Sequence, residues 1–303
     1  MKSFMSRKQF FSTSVKPIRL SFLLFISVSF FFSPYLKAQP IPSSSAGGGY
    51  IAFDGTDQYL YLPVDENFHQ VFEEGITIEG WFRFNHFLTE GEIWLLFSKL
   101  SSYLLLFRGS GEVKEFLLWP CGEDNNFIFN RDCAIVRKGE MGFQYLVKTQ
   151  TSEFGGFKLI RDFDIQPWHH FALTVSKKRN AVYIDGKAWH FGHGNVDNLP
   201  LKRESNPFYL GGRPDYPSLD GQLDEIRISN ISRYEGPGFL PPRRFRVDSH
   251  TIALYHFDKS NPLADTSGNN NHLRAHGFPQ FREFSVHLGR KLRTTWATVK
   301  KGL

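Results

Sequence analysis

The stretch AVYIDGKAWHF, Ala181 to Phe191, constrains the fold more than any other part of the 303-residue chain. Two strand-like segments flank Asp185-Gly186, a dipeptide that tolerates positive φ at both central positions of a type I′ turn. The twist of that turn suits two antiparallel strands, so a β-hairpin is predicted here. Period two recurs in Ile76–Phe84, where Ile76, Ile78, Phe82 and Phe84 alternate with Thr77, Glu79, Trp81 and Arg83. That pattern predicts a strand with one buried face. Evenly apolar runs at 92–100, 103–107 and 116–119 predict strands covered on both faces. Further strand signals fall at 59–62, 143–149, 157–160, 170–176, 208–212, 221–229 and 251–257. No window sustains a helical period, and at most one helical turn fits Asn230 to Tyr234. The chain therefore reads as all-β, a sandwich of two antiparallel sheets. Most of its 32 Phe residues sit at alternating strand positions, which makes them core before anything else.

The two ends carry a different message. Lys2, Arg7, Lys8, Lys16 and Arg19 precede an apolar run, Leu20 to Phe32, and Leu36-Lys37-Ala38 offers a small-residue cleavage site. Residues 1–38 are expected to be a secretory signal peptide. The run is too short for the roughly 20 residues that span a bilayer, so retention as an anchor is the rival reading and no other segment could span. Residues 39–49, rich in Pro, Ser and Gly, read as a flexible linker, 50–281 as the folded domain and 282–303 as a basic tail. Localisation outside the cell or in the cell envelope follows as an expectation.

The formal charge of +6 belongs to these ends. Six of the 36 basic residues and none of the 30 acidic ones lie in 1–38, and 282–303 holds six more basic residues against one acid. The domain between them is left at −5, which removes the electrostatic case for a nucleic-acid partner. Only Cys121 and Cys133 could form a disulfide. In an oxidising compartment they are expected to pair; two separate thiols are the alternative.

Five motifs in order carry a resemblance: YIAFDGTDQYLYLPV, ITIEGWFRF, WHHFALTVSKKRNAVYIDGK, FYLGGRPDYPSLDGQLDEIRISNISRY and FLPPRRFRVDSHTIALYHFDKSNPLADTSGNNNHL. Together, over about residues 50–277, they resemble laminin G-like domains of the concanavalin A-like lectin/glucanase superfamily, of the bacterial secreted type. The resemblance implies a jelly-roll sandwich, often a calcium ion, and binding of glycans or extracellular proteins. The HFD…DTSGNNNH stretch, Asp258 to His272, is expected to close the same sandwich.

Catalysis is not expected. Retaining glycosidases need two carboxylates about 5–5.5 Å apart in a cleft. Strict alternation along Leu223–Ser229 would place Asp224 with Ile226 and Ile228, and Glu225 with Arg227 and Ser229, leaving no second carboxylate where one is required. Arg227 is then the expected partner of Glu225. His169 and His170 at a strand entrance, and His190 and His193 in HFGHG, read as structural or solvated imidazoles, and no nucleophile or phosphate-loop motif is present.

Binding residues are expected in three places. Calcium takes six to eight oxygens from carboxylates and backbone carbonyls. Asp54 and Asp224 resemble the edge where relatives join the first and late strands, and Asp265, with Asn269 and Asn271, forms a second oxygen-rich loop. Arg213, Asp215 and Tyr216 lie in a turn-rich loop that would bring a stacking ring and planar polar groups to the rim, as a sugar site requires. Trp119 is a second rim candidate. The expected function is a non-catalytic module recognising glycan or polysaccharide, with adhesion to a cell-surface protein as the alternative.

Overall fold

The computed structural model describes residues 48–63, 74–99, 103–109, 141–148, 153–160, 163–192, 206–214, 216–258 and 260–283, with short strands at 111–112, 115–116, 119–120 and 135–136. Side chains are described for these except 111–136, 142–148, 153–159 and 190–192. The expected signal peptide, the linker up to residue 47, both cysteines, Asp215, His193 and the tail beyond 283 lie outside the described residues.

Among the described residues there are nineteen strands, numbered in chain order, and fifteen of them build two large antiparallel sheets. The first runs β14 (Lys187–Gly192), β13 (Asn180–Ile184), β12 (His169–Ser176), β3 (Gly75–Phe84), β16 (Asp220–Ser229), β1 (Gly49–Asp54), β19 (Gln280–Glu283). β17 (Thr251–Tyr255) pairs with the second half of β16, beyond the point where β1 leaves it. The second sheet runs β11 (Glu153–Ile160), β10 (Met141–Lys148), β5 (Tyr103–Arg108), β4 (Ile93–Lys99), β15 (Phe208–Leu210), β2 (Tyr59–Leu62), β18 (Arg274–His276). Two short pairs stand apart: β6 (Gly111–Glu112) with β9 (Ile135–Val136), and β7 (Glu115–Phe116) with β8 (Trp119–Pro120). The single strand expected at 116–119 is thus two strands turned back on each other. After β17 the chain supplies an edge to each sheet through β18 and β19, strands that follow the Asp258 to His272 stretch rather than lie in it.

The core lies between the sheets. Ile51, Phe53, Ile76, Ile78, Phe82, Phe171 and Leu223 from the first sheet meet Leu60, Phe97, Leu105, Phe107, Phe208 and Leu210 from the second. These are the alternating positions of each strand, and their burial is the main force holding the sheets face to face. The hairpin forms where Asp185-Gly186 predicts it, with φ of 51° and 72° at the two turn residues.

The far side of β3 departs from expectation. All ten of its residues are buried, so Thr77, Glu79, Trp81 and Arg83 do not face water. Residues 230–248, which contain no helical turn, run across this outer face as an irregular strap. Thr77 Oγ1 donates to Ile231 O, Thr174 Oγ1 to Tyr234 O, Tyr183 Oη to Gly236 O and Trp81 Nε1 to Pro242 O. Tyr234 stacks flat on Phe239, and Phe245 joins Tyr50, Trp81, Trp168 and Leu254 in a second apolar cluster. A period-two pattern reports which residues alternate; it cannot report that a distant loop will cover the polar half.

Candidate functional site

The strap closes the outer face of the first sheet, and the acidic strand lies beneath it. β16 does not alternate strictly. Asp224 stands opposite Trp81 and Arg227 opposite Glu79, so Glu225 and Ile226 share one position of β3 in a β-bulge. Glu225 adopts a φ of 52°, and Ile226 turns into the core with Leu223 and Ile228 while Asp224 and Arg227 share the outer side. The expected pairing of Glu225 with Arg227 is therefore replaced. Arg227 binds Glu79, and Glu225 accepts from Phe245 N–H at 2.8 Å and lies 2.5 Å from His256 Nδ1. Asp224 and Glu225 are both wholly buried, out of reach of any polymer substrate.

The three carboxylates expected to hold calcium sit in separate places. Asp54 caps its own loop, accepting from Thr56 N–H and Oγ1 and from Gln58 Nε2. In the β1–β16 register Asp54 faces Asp220, four positions from Asp224, a separation of about 13 Å along the strands. Asp265 accepts from Leu254 N–H, Ser267 N–H and Oγ, and Asn271 N–H, so it organises the closing loop. Among the described residues no cluster of three His, Cys, Asp or Glu is arranged to hold a metal. Asp54 and Asp224 therefore do not converge on one ion.

The outer face of the second sheet is different. On β2 and β15, Leu60, Leu62, Phe208 and Leu210 point into the core, so Tyr59, Tyr61 and Tyr209 point outward. Strand register sets them in a transverse row: Leu104 of β5 faces Ser98 of β4, Ser98 faces Tyr209, Tyr209 faces Tyr61, and Tyr61 faces Arg274 of β18. The three tyrosine rings form a triangle with centroids 5.7 to 6.5 Å apart. His276, also on β18, stacks on Tyr59 at 4.5 Å and 11°. Tyr61 is half-buried, Arg274 and His276 are exposed, and Tyr59 and Tyr209 are largely covered by their neighbours.

Arg213 and Tyr216 join this face rather than a solvated rim. A tight turn pairs their backbones, with Tyr216 N–H donating to Arg213 O at 3.0 Å. The Arg213 guanidinium lies 4.1 Å over the Tyr216 ring, and its Nη1 donates to Ser98 Oγ at 3.3 Å. That bond seats it above the Ser98 position of the row, beside Tyr209. Trp119 falls in β8, where only its backbone is described. The outward positions of YLYL and FYL are the row's visible signal in the sequence, and the expected site residues do not include them.

Residues 54–235 match a laminin G family model described as the concanavalin A-like lectin/glucanases superfamily. The chain belongs to this superfamily. A Bacteroides ovatus protein provisionally named as carbohydrate binding is similar to this laminin G-like sandwich at 14% identity and a TM-score of 0.52. The likeness covers 79% of this chain and 61% of that one, so the chain spans about three-fifths of that protein's length. A Limulus polyphemus pentraxin (11% identity, TM-score 0.38, 64% of this chain and 80% of that one) is a more distant likeness. The mouse laminin alpha1 chain is another (12% identity, TM-score 0.37, 77% and 48%). At these identities the solved structures establish the fold alone. Among curated protein sequences, none matches significantly.

Proposed function

We propose that the protein is an exported, non-catalytic module that binds glycan on the outer face of its second sheet, centred on Tyr61. The observation that carries this reading is the row Ser98–Tyr209–Tyr61–Arg274, flanked by Tyr59 and His276. A sugar ring offers an apolar CH face and a rim of hydroxyls. A half-buried tyrosine bordered by guanidinium and imidazole groups offers the complementary stacking surface and donors. The sheet holds these groups on paired strands, so little order has to be gained on binding. Export rests on the basic and apolar leader that ends at Ala38.

The non-catalytic part of the reading is supported by the burial of Asp224 and Glu225 under the strap. A protein partner is the competing outcome. Leu240 and Phe278 are 93% and 86% exposed but belong to different segments, and single exposed apolar residues do not make a docking surface.

A glycan-array screen of the exported chain, run with calcium and again with a chelator, tests the reading. Binding to a sugar class in both conditions is expected, with Tyr61→Ala weakening it about tenfold or more while the melting temperature holds. A folded sample silent toward every glycan would overturn the proposal.

A further inference from the structure

Arg213 is only 9% exposed, and its Nε is buried without an acceptor among the described residues. Its polar contacts among the described residues are the Ser98 hydroxyl and the Tyr216 ring, both neutral. Three arginines on the other side of the molecule have carboxylate partners, whereas Arg83, as buried as Arg213, donates to Gln166 O. Arg227 holds Glu79, Arg233 holds Asp248 and Arg244 holds Asp258, each within 2.7 Å. A guanidinium withdrawn from water without a counter-ion carries a large desolvation cost, which an anion arriving from outside would offset.

The surroundings point the same way. Arg274 ends the tyrosine row on one side, where it faces Tyr61. The described carboxylate at this edge, Asp57, is paired with His276 at 3.3 Å. Arg213 and Arg274 thus border the tyrosine row on this face.

We infer that the glycan bound on this face is acidic, and that Arg213 receives its negative substituent beside the Tyr209–Tyr61 platform. This deepens the proposed function and rests on it. The shared chemistry is an anionic group on a sugar ring, either the carboxylate of a uronic acid or a sulfate ester. Either accepts charge-assisted hydrogen bonds from a guanidinium whose stem is already fixed by stacking.

The test is equilibrium binding of the whole chain to polygalacturonate, to the same polymer fully methyl-esterified, to heparin and to a neutral mannan. We expect an acidic polymer to bind at least about tenfold more tightly than its neutral counterpart, the preference shrinking as salt is raised. Arg213→Gln should bring polygalacturonate and its methyl ester to within about twofold of each other, while Arg213→Lys keeps part of the preference. Tighter binding of heparin than of polygalacturonate would support the inference with sulfate as the source of charge. If Arg213→Gln does not fold, the lysine variant and the wild-type salt series carry the same test. Equal affinity for charged and esterified polymer, in a protein that binds both, overturns this inference and leaves the proposed function standing. So does a preference that survives Arg213→Gln. Silence toward all four polymers and the wider array overturns both.

Discussion

Arg227 grips Glu79 through two nitrogens on one oxygen, Nε at 2.9 Å and Nη2 at 2.7 Å from Oε1. Tyr234 Oη donates to the other oxygen at 2.7 Å, and His170 Nε2 lies 3.4 Å from it. Glu79 belongs to β3, Arg227 to β16, and Tyr234 to the strap, so one buried carboxylate ties the sheet to its cover. Arg227 also lies over the Phe245 ring at 4.6 Å, on the same strap. The network explains why a long irregular segment stays flat against a sheet.

Removing one partner of such a pair leaves the other charged and dry. Glu79→Ala is expected to lose about 3–5 kcal/mol of unfolding free energy at neutral pH. The double change Glu79→Leu with Arg227→Met should lose much less, because no charge is stranded. Chemical denaturation of the three proteins checks this. A single variant within about 1 kcal/mol of wild type would show that the pair does not anchor the strap.

The same carboxylate sets a response to acid. Burial works to raise the Glu79 pKa, but His170, Arg227 and Tyr234 outweigh it and hold the group below the ordinary glutamate range. Asp248 is also depressed, first by its bidentate bonds from Arg233 and then, against burial, by Thr251. A carboxylate depressed in the folded state contributes stability that is complete above its unfolded pKa and is lost as pH falls through the folded one. Stability should therefore be level from pH 7 to about 5 and fall steeply below about pH 4. Denaturation midpoints across that range measure it, and Glu79→Ala should flatten the acid limb. An unchanged acid limb in that variant would assign the loss to other groups.

How far the sequence carried the structure depends on which force decides each feature. The strands, the Asp185-Gly186 turn and the sandwich were legible because alternation and turn chemistry are local signals. Asp224 and Glu225 of β16 are buried, and the strand does not alternate strictly. The bulge at Glu225 and Ile226 is a backbone event that no side-chain pattern announces, and it moved Arg227 from Glu225 to Glu79. The buried far side of β3 depended on a strap about 150 residues later in the chain. The tyrosine row was half legible. Each outward tyrosine follows from its own strand, but their adjacency depends on β2 and β15 pairing across about 150 residues.

Inside the sandwich, the Tyr103 ring packs against Phe97 and Phe208, and its buried hydroxyl has no hydrogen-bond partner among the described residues. Burial alone drives its pKa far above the ordinary phenol. An unsatisfied buried hydroxyl works against folding, and Tyr103→Phe keeps the ring. The variant should be as stable as wild type or about 1 kcal/mol more so by thermal or chemical unfolding. A loss beyond about 1 kcal/mol would mean that the hydroxyl contributes through an interaction the packing does not reveal.

Glu225 allows two costs at the bulge to be separated. Its carboxylate accepts from the buried Phe245 N–H, and its backbone is held at a φ of 52°, where side-chain-bearing residues are strained. Glu225→Ala keeps the strained backbone but leaves that N–H and His256 without their acceptor, for an expected loss of about 2–4 kcal/mol. Glu225→Gly loses the same bonds yet relaxes the backbone, so it should be about 1 kcal/mol more stable than the alanine variant. Both should bind glycan with wild-type affinity when folded, since Glu225 lies under the strap on the sheet opposite the tyrosine row. Unfolding curves order the three proteins, and binding isotherms test the second point. A variant that is stable but no longer binds would place the acidic strand in the functional site after all.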